Sequence, residues 1–394
     1  MNINVIGAKC CGCHNCEHIC SLNAIKFEDN GEGFFYPKVS SCCKECGKCL
    51  TVCPMYGKSE TIISQKGFAA YCKNSKALMR SSSGGVFYSL AKYVIEQGGV
   101  VIGCAEKQIG YPEHILVESI ENLHLLQGSK YVESNFSNVY DTIDRVLKQN
   151  KLVMFSGTPC QVAAVKKMFQ SDRLITIDII CHGVPSRKMY DAYLKWFEQK
   201  KNCQIENFNF RSKKKHGWSL TYKVNYKKNR KSYQIEKIAS LSPYYEHFLE
   251  GMDYRECCYL CKYAASERGG DITLGDFWGV EKVKESLANF NGVSAVLINT
   301  NKGKRLFELV SNSVNYEEVL VSSIVKNNGQ LNNPVVRPIE RNEIYELLNT
   351  AGYDFIANHY RNKKGEIIDS IKDFIPNKLR IKIKKCVKRN NKWK

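Results

Sequence analysis

Cys10, Cys13, Cys16 and Cys20 are spaced C-x2-C-x2-C-x3-C, and Cys43, Cys46, Cys49 and Cys53 repeat that spacing and end in Pro54. Thiolates at this spacing suit the corners of a [4Fe–4S] cubane. Three cysteines wrap one cluster in a tight loop, and the fourth, set apart and followed by a chain-turning proline, reaches across to the other. The expected partition is Cys10, Cys13, Cys16 and Cys53 on one cluster, with Cys43, Cys46, Cys49 and Cys20 on the second. A pair of zinc sites is the competing chemistry. Zinc knuckles are usually separated by a longer loop than these runs provide. Radical chemistry on S-adenosylmethionine would need C-x3-C-x2-C, but Asn23 and Tyr56 stand where the last cysteine should be. Ser21 replaces the proline expected after Cys20, Cys11 and Cys42 read as bystander thiols, and His14 reads as a hydrogen-bonding neighbour.

Two such runs are the pattern of a dicluster ferredoxin-type domain, and the rest of the composition is compatible with it. The chain has 394 residues, enough for two to three domains, and 19 cysteines. Ten of these lie in the first 53 residues, behind an N-terminus without the apolar core of a secretory signal. Metal ligation, not a disulfide framework, is therefore the expected use of the thiols. No stretch is apolar enough to span a bilayer, so a soluble, cytoplasmic protein is expected. The formal net charge is +19, and nine Lys/Arg without an acid fall between Asn377 and Lys394. The remaining charge is ordinary for this length, and no nucleic-acid-binding signature is present, so nucleic acid is not an expected partner.

After a polar connector near Gly57 to Lys66, strands and helices alternate, which predicts an α/β domain with a mainly parallel or mixed sheet. Short strands are predicted at Ala24–Phe27 and Phe34–Pro37, and buried ones at Phe68–Cys72, Val100–Cys104, Leu152–Phe155 and Leu174–Ile180. Ser81-Ser82-Ser83-Gly84-Gly85 opens a helix to about Gln97, and small residues there suit a phosphate at a helix N-terminus. Read alone, that turn is equally a simple helix cap, and Lys130 in Gly128-Ser129-Lys130-Tyr131 is either a phosphate or flavin partner or a solvated lysine. Cys160 and Cys181 each follow an apolar strand, where open α/β sheets bind ligands. Cys258 and Cys261 form a further C-x2-C pair. These four suit a third cluster, or, on spacing alone, zinc or plain burial.

Taken together, these segments resemble the beta-subunit family of coenzyme F420-reducing hydrogenases and F420H2 dehydrogenases, in the form with an N-terminal dicluster ferredoxin domain. The resemblance rests on Ser82-Ser83-Gly84-Gly85-Val86, Gly128-Ser129-Lys130-Tyr131, Phe155-Ser156-Gly157-Thr158-Pro159-Cys160-Gln161, Cys181-His182-Gly183-Val184-Pro185-Ser186, Cys258-x2-Cys261 and Asp271 to Gly279. It implies an FAD-binding domain with its own [4Fe–4S] cluster near the flavin. The ligands implied are Cys160, Cys181, Cys258 and Cys261, with Cys257 fitting less well than Cys258. Ser82, Ser83, Gly84, Gly85 and Lys130 become FAD candidates, Asp271, Asp276 and Trp278 help shape the site, and His182 supports the cluster. The implied function is an oxidoreductase that passes electrons between a hydride-carrying small molecule, coenzyme F420 or another, and the clusters, with a redox protein or ferredoxin as partner. Residues for proton transfer are not implied. Two rival readings are a polyferredoxin-type electron-transfer module and a ferredoxin-dependent reductase of surface-polysaccharide biosynthesis.

The expected organisation is a ferredoxin-type domain over 1–60, the two parts of the beta-subunit domain over 61–150 and 151–345, and a helical basic tail over 346–394. In that tail Ile371, Ile375, Leu379, Ile383 and Val387 recur every fourth residue, interrupted by Pro376. A basic amphipathic helix from Asn377 would suit an anionic membrane surface or an acidic protein, or remain solvated.

Overall fold

The computed structural model describes residues 1–58, 60–361 and 363–375. The basic helix expected from Asn377 lies outside the described residues. Among those described, no helix is long and apolar enough to cross a membrane.

The N-terminal lobe is built around an antiparallel hairpin of β1 (Ile25–Asp29) and β2 (Phe35–Val39), pairing Ile25 with Val39 and Asp29 with Phe35. The Asp29 carboxylate closes its turn by accepting the Gly31 and Gly33 N–H groups, each at 2.9 Å. Both strands fall where the alternation predicts them.

The remaining strands are β3 (Lys66–Cys72), β4 (Val100–Gln108), β5 (Tyr111–Val117), β6 (Val153–Gly157), β7 (Leu174–Ile179), β8 (Gln204–Asn209), β9 (Thr221–Lys228), β10 (Lys231–Ile238), β11 (Ile272–Asp276), β12 (Ser294–Ile298) and β13 (Val314–Val319). Eight of them form one sheet in the order β13-β3-β12-β11-β7-β6-β4-β5. The centre, β11-β7-β6-β4, is parallel. Antiparallel strands flank it, β12, β3 and β13 on one side and β5 on the other, so the sheet is mixed. Segments before and after residue 150 share this sheet.

The alternating apolar residues of β4 and β6 divide the core between two faces. Val101 and Met154 join Leu90 and Val94 of helix Val86–Glu96, whereas Ile102, Val153 and Phe155 join Ile143 and Val162 of helices Val139–Lys148 and Pro159–Met168. The helix predicted to begin in the serine–glycine segment starts only at Val86, because Gly85 sits in the left-handed region at φ 77° and caps it.

β8, β9 and β10 form a separate antiparallel sheet that the sequence does not announce. In β8 the buried Ile205 and Phe208 stand three apart, and β10 buries no residue fully, so neither strand carries a period-two signal. Behind the sheet lies an aromatic core including Tyr193, Phe208, Tyr244, Phe248 and Tyr345. Helices Arg341–Thr350, Gly352–His359 and Lys363–Phe374 complete the described chain.

Candidate active site

The two cysteine runs repeat in backbone geometry as well as in sequence. Gly12 and His14 are left-handed (φ 70° and 62°), as are Glu45 and Gly47 at the equivalent positions (φ 51° and 77°). Each pair is followed by one helical turn that carries the third cysteine of its run, Cys16 or Cys49. This conformation turns a backbone N–H back on the first sulfur. Gly12 N donates to Cys10 Sγ and Glu45 N to Cys43 Sγ, both at 3.4 Å. Donors aimed at sulfur favour the thiolate that a cluster requires.

A small cavity of about 10 Å³ is lined by Cys10, Cys13, Cys16 and Cys53 with Ile3, Ile6 and Phe27. Burial first, then the mutual repulsion of Cys10, Cys53 and Cys49, pushes the Cys16 thiol far above its ordinary range. Cys43 and Cys46 act on Cys49 in the same way. Cys20 accepts the Ala24 N–H at 3.4 Å and packs on the apolar cluster that holds Cys49 and Cys53. Cys42 is exposed and bonded to Ser40, away from these sets.

A cavity of about 550 Å³ lies at the C-terminal ends of β6, β7 and β11, where the parallel strands open. Cys160, Cys181, Cys258 and Cys261 share its wall with Ser82, Ser83, Gly85 and Lys130. Cys160 follows β6 at the start of helix Pro159–Met168, within a capping box in which Thr158 N donates to Gln161 Oε1 at 2.9 Å. Cys181 follows β7, and Gly183 after it has φ 142° and no room for a Cβ, which would strike the Tyr254 ring. Burial first, then the charges of Cys258, Cys160 and Cys261, raise the Cys181 thiol well above its usual range. Cys257 and Cys258 are adjacent on this wall, and the hydrogen bond between their thiols lowers the Cys258 thiol and raises that of Cys257. His182 donates or accepts at Tyr254 Oη (2.5 Å), supporting the turn from outside. Among the described residues, no three His, Cys, Asp or Glu converge on the coordination sphere of a single metal ion.

The serine–glycine segment is held by backbone contacts. Ser82 Oγ accepts Ser129 N (2.7 Å) and Ser129 Oγ (2.9 Å), while Ser83 Oγ donates to the carbonyls of Gly275 and Val293. Gly84 is wedged against β3 and β12. It lies outside the cavity wall, and its role is close packing. Lys130 lines the cavity, but its ammonium donates to the carbonyls of Cys104, Gln127 and Leu125 at 3.0, 3.0 and 3.2 Å. It is therefore not a solvated lysine: one donor pins the loop to β4 at Cys104 and the others close the loop on itself.

Four residues here carry no clear mark in the sequence. Arg211, buried, forms an ion pair with Asp276 (2.7 Å) and donates to Tyr131 Oη and to the Ser82 carbonyl. Lys213 donates to the carbonyls of Ser83 (2.6 Å) and Leu78 (2.8 Å), and burial lowers its pKa to about 7. Trp218 donates to Asp276 at 2.7 Å and stacks on Trp278 with ring centroids 4.8 Å apart. Arg255 reaches from the α/β domain to the carbonyl of Cys10 at 2.7 Å. Asp276 and Trp278 thus shape the cavity as expected. Asp271 instead accepts Thr176 N and Oγ1 inside the sheet. The only sequence signal for the cations is the basic run from Arg211 to Lys215, which reads equally as a solvated loop.

Cys11 and Gly12 of the N-terminal lobe also line this cavity. Cys11 is in hydrogen-bond contact with both Cys13 and Cys160, so the bystander of the first run sits between it and the third cysteine set.

No curated protein matches this sequence. Among solved structures, a chain of the F420-reducing [NiFe] hydrogenase complex from Methanosarcina barkeri superposes with a TM-score of 0.46 at 14% identity, covering 74% of this chain and 94% of that chain. Residues 150–322 match the family model for the C-terminal part of the coenzyme F420 hydrogenase/dehydrogenase beta subunit. This stretch carries Cys160, Cys181, Cys258, Cys261 and Asp276, and over it the chain is similar to that family.

Proposed function

We propose that this chain is an iron–sulfur flavoprotein oxidoreductase that exchanges electrons between a hydride carrier and [4Fe–4S] clusters through FAD. One observation carries the reading. A single cavity is lined both by the serine–glycine loop and by four cysteines from three chain segments, with the N-terminal lobe closing its wall.

The residues fit the groups proposed. Burial and their neighbours' charges disfavour thiolates in this partly buried set of four cysteines, and an iron–sulfur cluster would supply the positive charge that stabilises them. A mostly apolar hollow of this size suits a large planar cofactor. When bound, FAD supplies the two-electron to one-electron conversion, and the clusters supply single-electron steps.

The protein's part is placement. Ser82, Ser83 and Gly85 would present backbone to the phosphate end of FAD beside the first turn of helix Val86–Glu96. Arg211 and Lys213 hold that loop rigid from behind by its carbonyls. Lys130 closes the opposite wall. Cys160, Cys181, Cys258 and Cys261 would hold one cluster, Cys10, Cys13, Cys16 and Cys53 the next, and Cys43, Cys46, Cys49 and Cys20 the outermost. Cys46 is exposed, so the outermost set offers a surface to a redox partner or ferredoxin.

The test is anaerobic mixing of the purified protein with reduced coenzyme F420, NADH or NADPH while absorption is followed. Bleaching of flavin and cluster bands by one donor is expected. Failure of every donor on protein reconstituted with FAD, while dithionite still bleaches the clusters, would leave an electron-transfer module.

A further inference from the structure

Helix Lys363–Phe374 is oriented unusually for a surface helix. Ile367, Ile368, Ile371 and Phe374 are 66%, 55%, 60% and 86% exposed. At 100° per residue these four fall on one continuous stripe. Asp373, on the other side, is buried against the body of the protein. Its carboxylate accepts Lys215 Nζ (2.6 Å), Ile238 N (3.1 Å) and His216 Nε2 (3.2 Å). The Asp373 carboxylate therefore faces the protein while the apolar stripe, with Lys372 beside it, faces out. This arrangement strands apolar area in water unless another surface covers it.

The chemistry of that surface is indicated by the sequence that follows. Residues 376–394 contain nine Lys/Arg and no Asp or Glu, interleaved with Leu379, Ile381, Ile383, Val387 and Trp393. A partner must accept apolar side chains and bear dense negative charge, which is the description of an anionic lipid leaflet. One apolar patch or one basic segment holds a protein to a bilayer only weakly, whereas the two together hold it firmly. We propose that the outer face of helix Lys363–Phe374 and the basic segment after it dock this protein on an anionic membrane surface. The docking helix is not a free appendage. Through Asp373 it grips Lys215 and His216, in the same segment whose Arg211 and Lys213 hold the cavity loop.

The experiment is vesicle flotation of the full chain on phosphatidylcholine alone and on phosphatidylcholine mixed with phosphatidylglycerol, at low and at raised salt. Binding to the mixed vesicles only, weakened by salt, is expected. The pair Ile367→Asp with Ile371→Asp, and separately Lys382→Ser with Lys384→Ser and Lys385→Ser, should each lower binding at least ~10-fold. The replaced isoleucines are exposed, so iron content and absorption should not change. Equal binding to both vesicles, no binding, or unaltered binding by either variant would overturn the proposal. So would a wild-type dimer that the isoleucine pair converts to monomer while lipid binding persists, or binding to polyglutamate as tight as to mixed vesicles.

Discussion

Arg255 donates its Nε–H to the carbonyl oxygen of Cys10 at 2.7 Å, joining the α/β domain to the first cysteine of the N-terminal lobe. The same guanidinium pairs with Glu133 at 2.7 Å, donates to the Phe35 carbonyl at 2.5 Å and lies 4.3 Å from the centre of the Tyr36 ring. Its charge sits almost wholly out of water, held by those partners. The lobe is further fixed by Tyr140 Oη to the Cys13 carbonyl (2.6 Å), by Tyr263 Oη to the Pro54 carbonyl (2.8 Å) and by a two-pronged Arg341–Glu32 pair. Contacts this short and numerous make the lobe part of the site's wall.

Arg255→Met should therefore loosen the lobe. Breaking a buried ion pair from one side leaves Glu133 without its partner and typically costs about 3–5 kcal/mol. Glu133 is partly open to solvent, so the lower end is expected. Denaturant unfolding should show that loss, and limited proteolysis should cut between residues 54 and 66 faster than in the wild type. An unchanged midpoint and cutting rate would contradict the clamp.

Gly84→Ala tests the packing of the serine–glycine loop. A Cβ there would meet the Ala70 carbonyl oxygen and, at 2.5 Å, the Ser294 nitrogen, both backbone atoms of neighbouring strands that cannot step aside. Overpacking of this kind costs about 1–3 kcal/mol, and here it also displaces Ser83 from the cavity wall. FAD retention on gel filtration should fall sharply. Gly98→Ala is a control, because nothing lies near the added carbon there, although its positive φ carries a small cost.

The pH dependence of stability should carry the signature of Lys213. In the unfolded chain a lysine holds its proton to about pH 10. Burial first, then the Arg211 charge, lowers it in the fold to about 7. Between those values the unfolded state binds the extra proton, so stability rises as pH increases from 7 toward 10. A neutral amine keeps two N–H donors for the carbonyls of Ser83 and Leu78, so the loop is retained. Lys213→Met should flatten this rise, as measured by denaturant midpoints at successive pH values. An identical slope in both proteins would contradict it.

How far the sequence reached can be seen at Arg211 and at Cys10. Cys10 carries its meaning in its neighbours: the local spacing dictates the loop, and the repeated left-handed pairs Gly12/His14 and Glu45/Gly47 follow from it. The strands ending at Cys160 and Cys181 were legible for the same reason, since apolar runs and turn residues are local signals. Arg211 depends on Asp276, 65 residues away, and nothing in a basic loop distinguishes a buried partner from a solvated charge. The antiparallel placement of β3 and β12 was equally hidden, because strand order is set by long-range packing that periodicity does not encode. Cys11 read as a spare thiol for want of one fact, that Cys160 folds against it.

Cys258→Ser should lower iron by about four per chain, while Cys257→Ser should leave it unchanged. Cys258 is the one of the adjacent pair that the family resemblance implies as a ligand, and its charge acts on Cys181 together with those of Cys160 and Cys261. Equal losses from both variants would move the ligand assignment or merge the two thiols into one role.

The proposed function stands or falls on whether one cavity brings a flavin against a cluster that the ferredoxin-type lobe can reach. Iron, sulfide and flavin per chain should be determined in anaerobically purified protein, with spectra before and after dithionite. About twelve irons and one FAD are predicted. Eight irons with no flavin, even after reconstitution with FAD, would contradict that arrangement and leave a two-cluster carrier attached to an α/β docking domain.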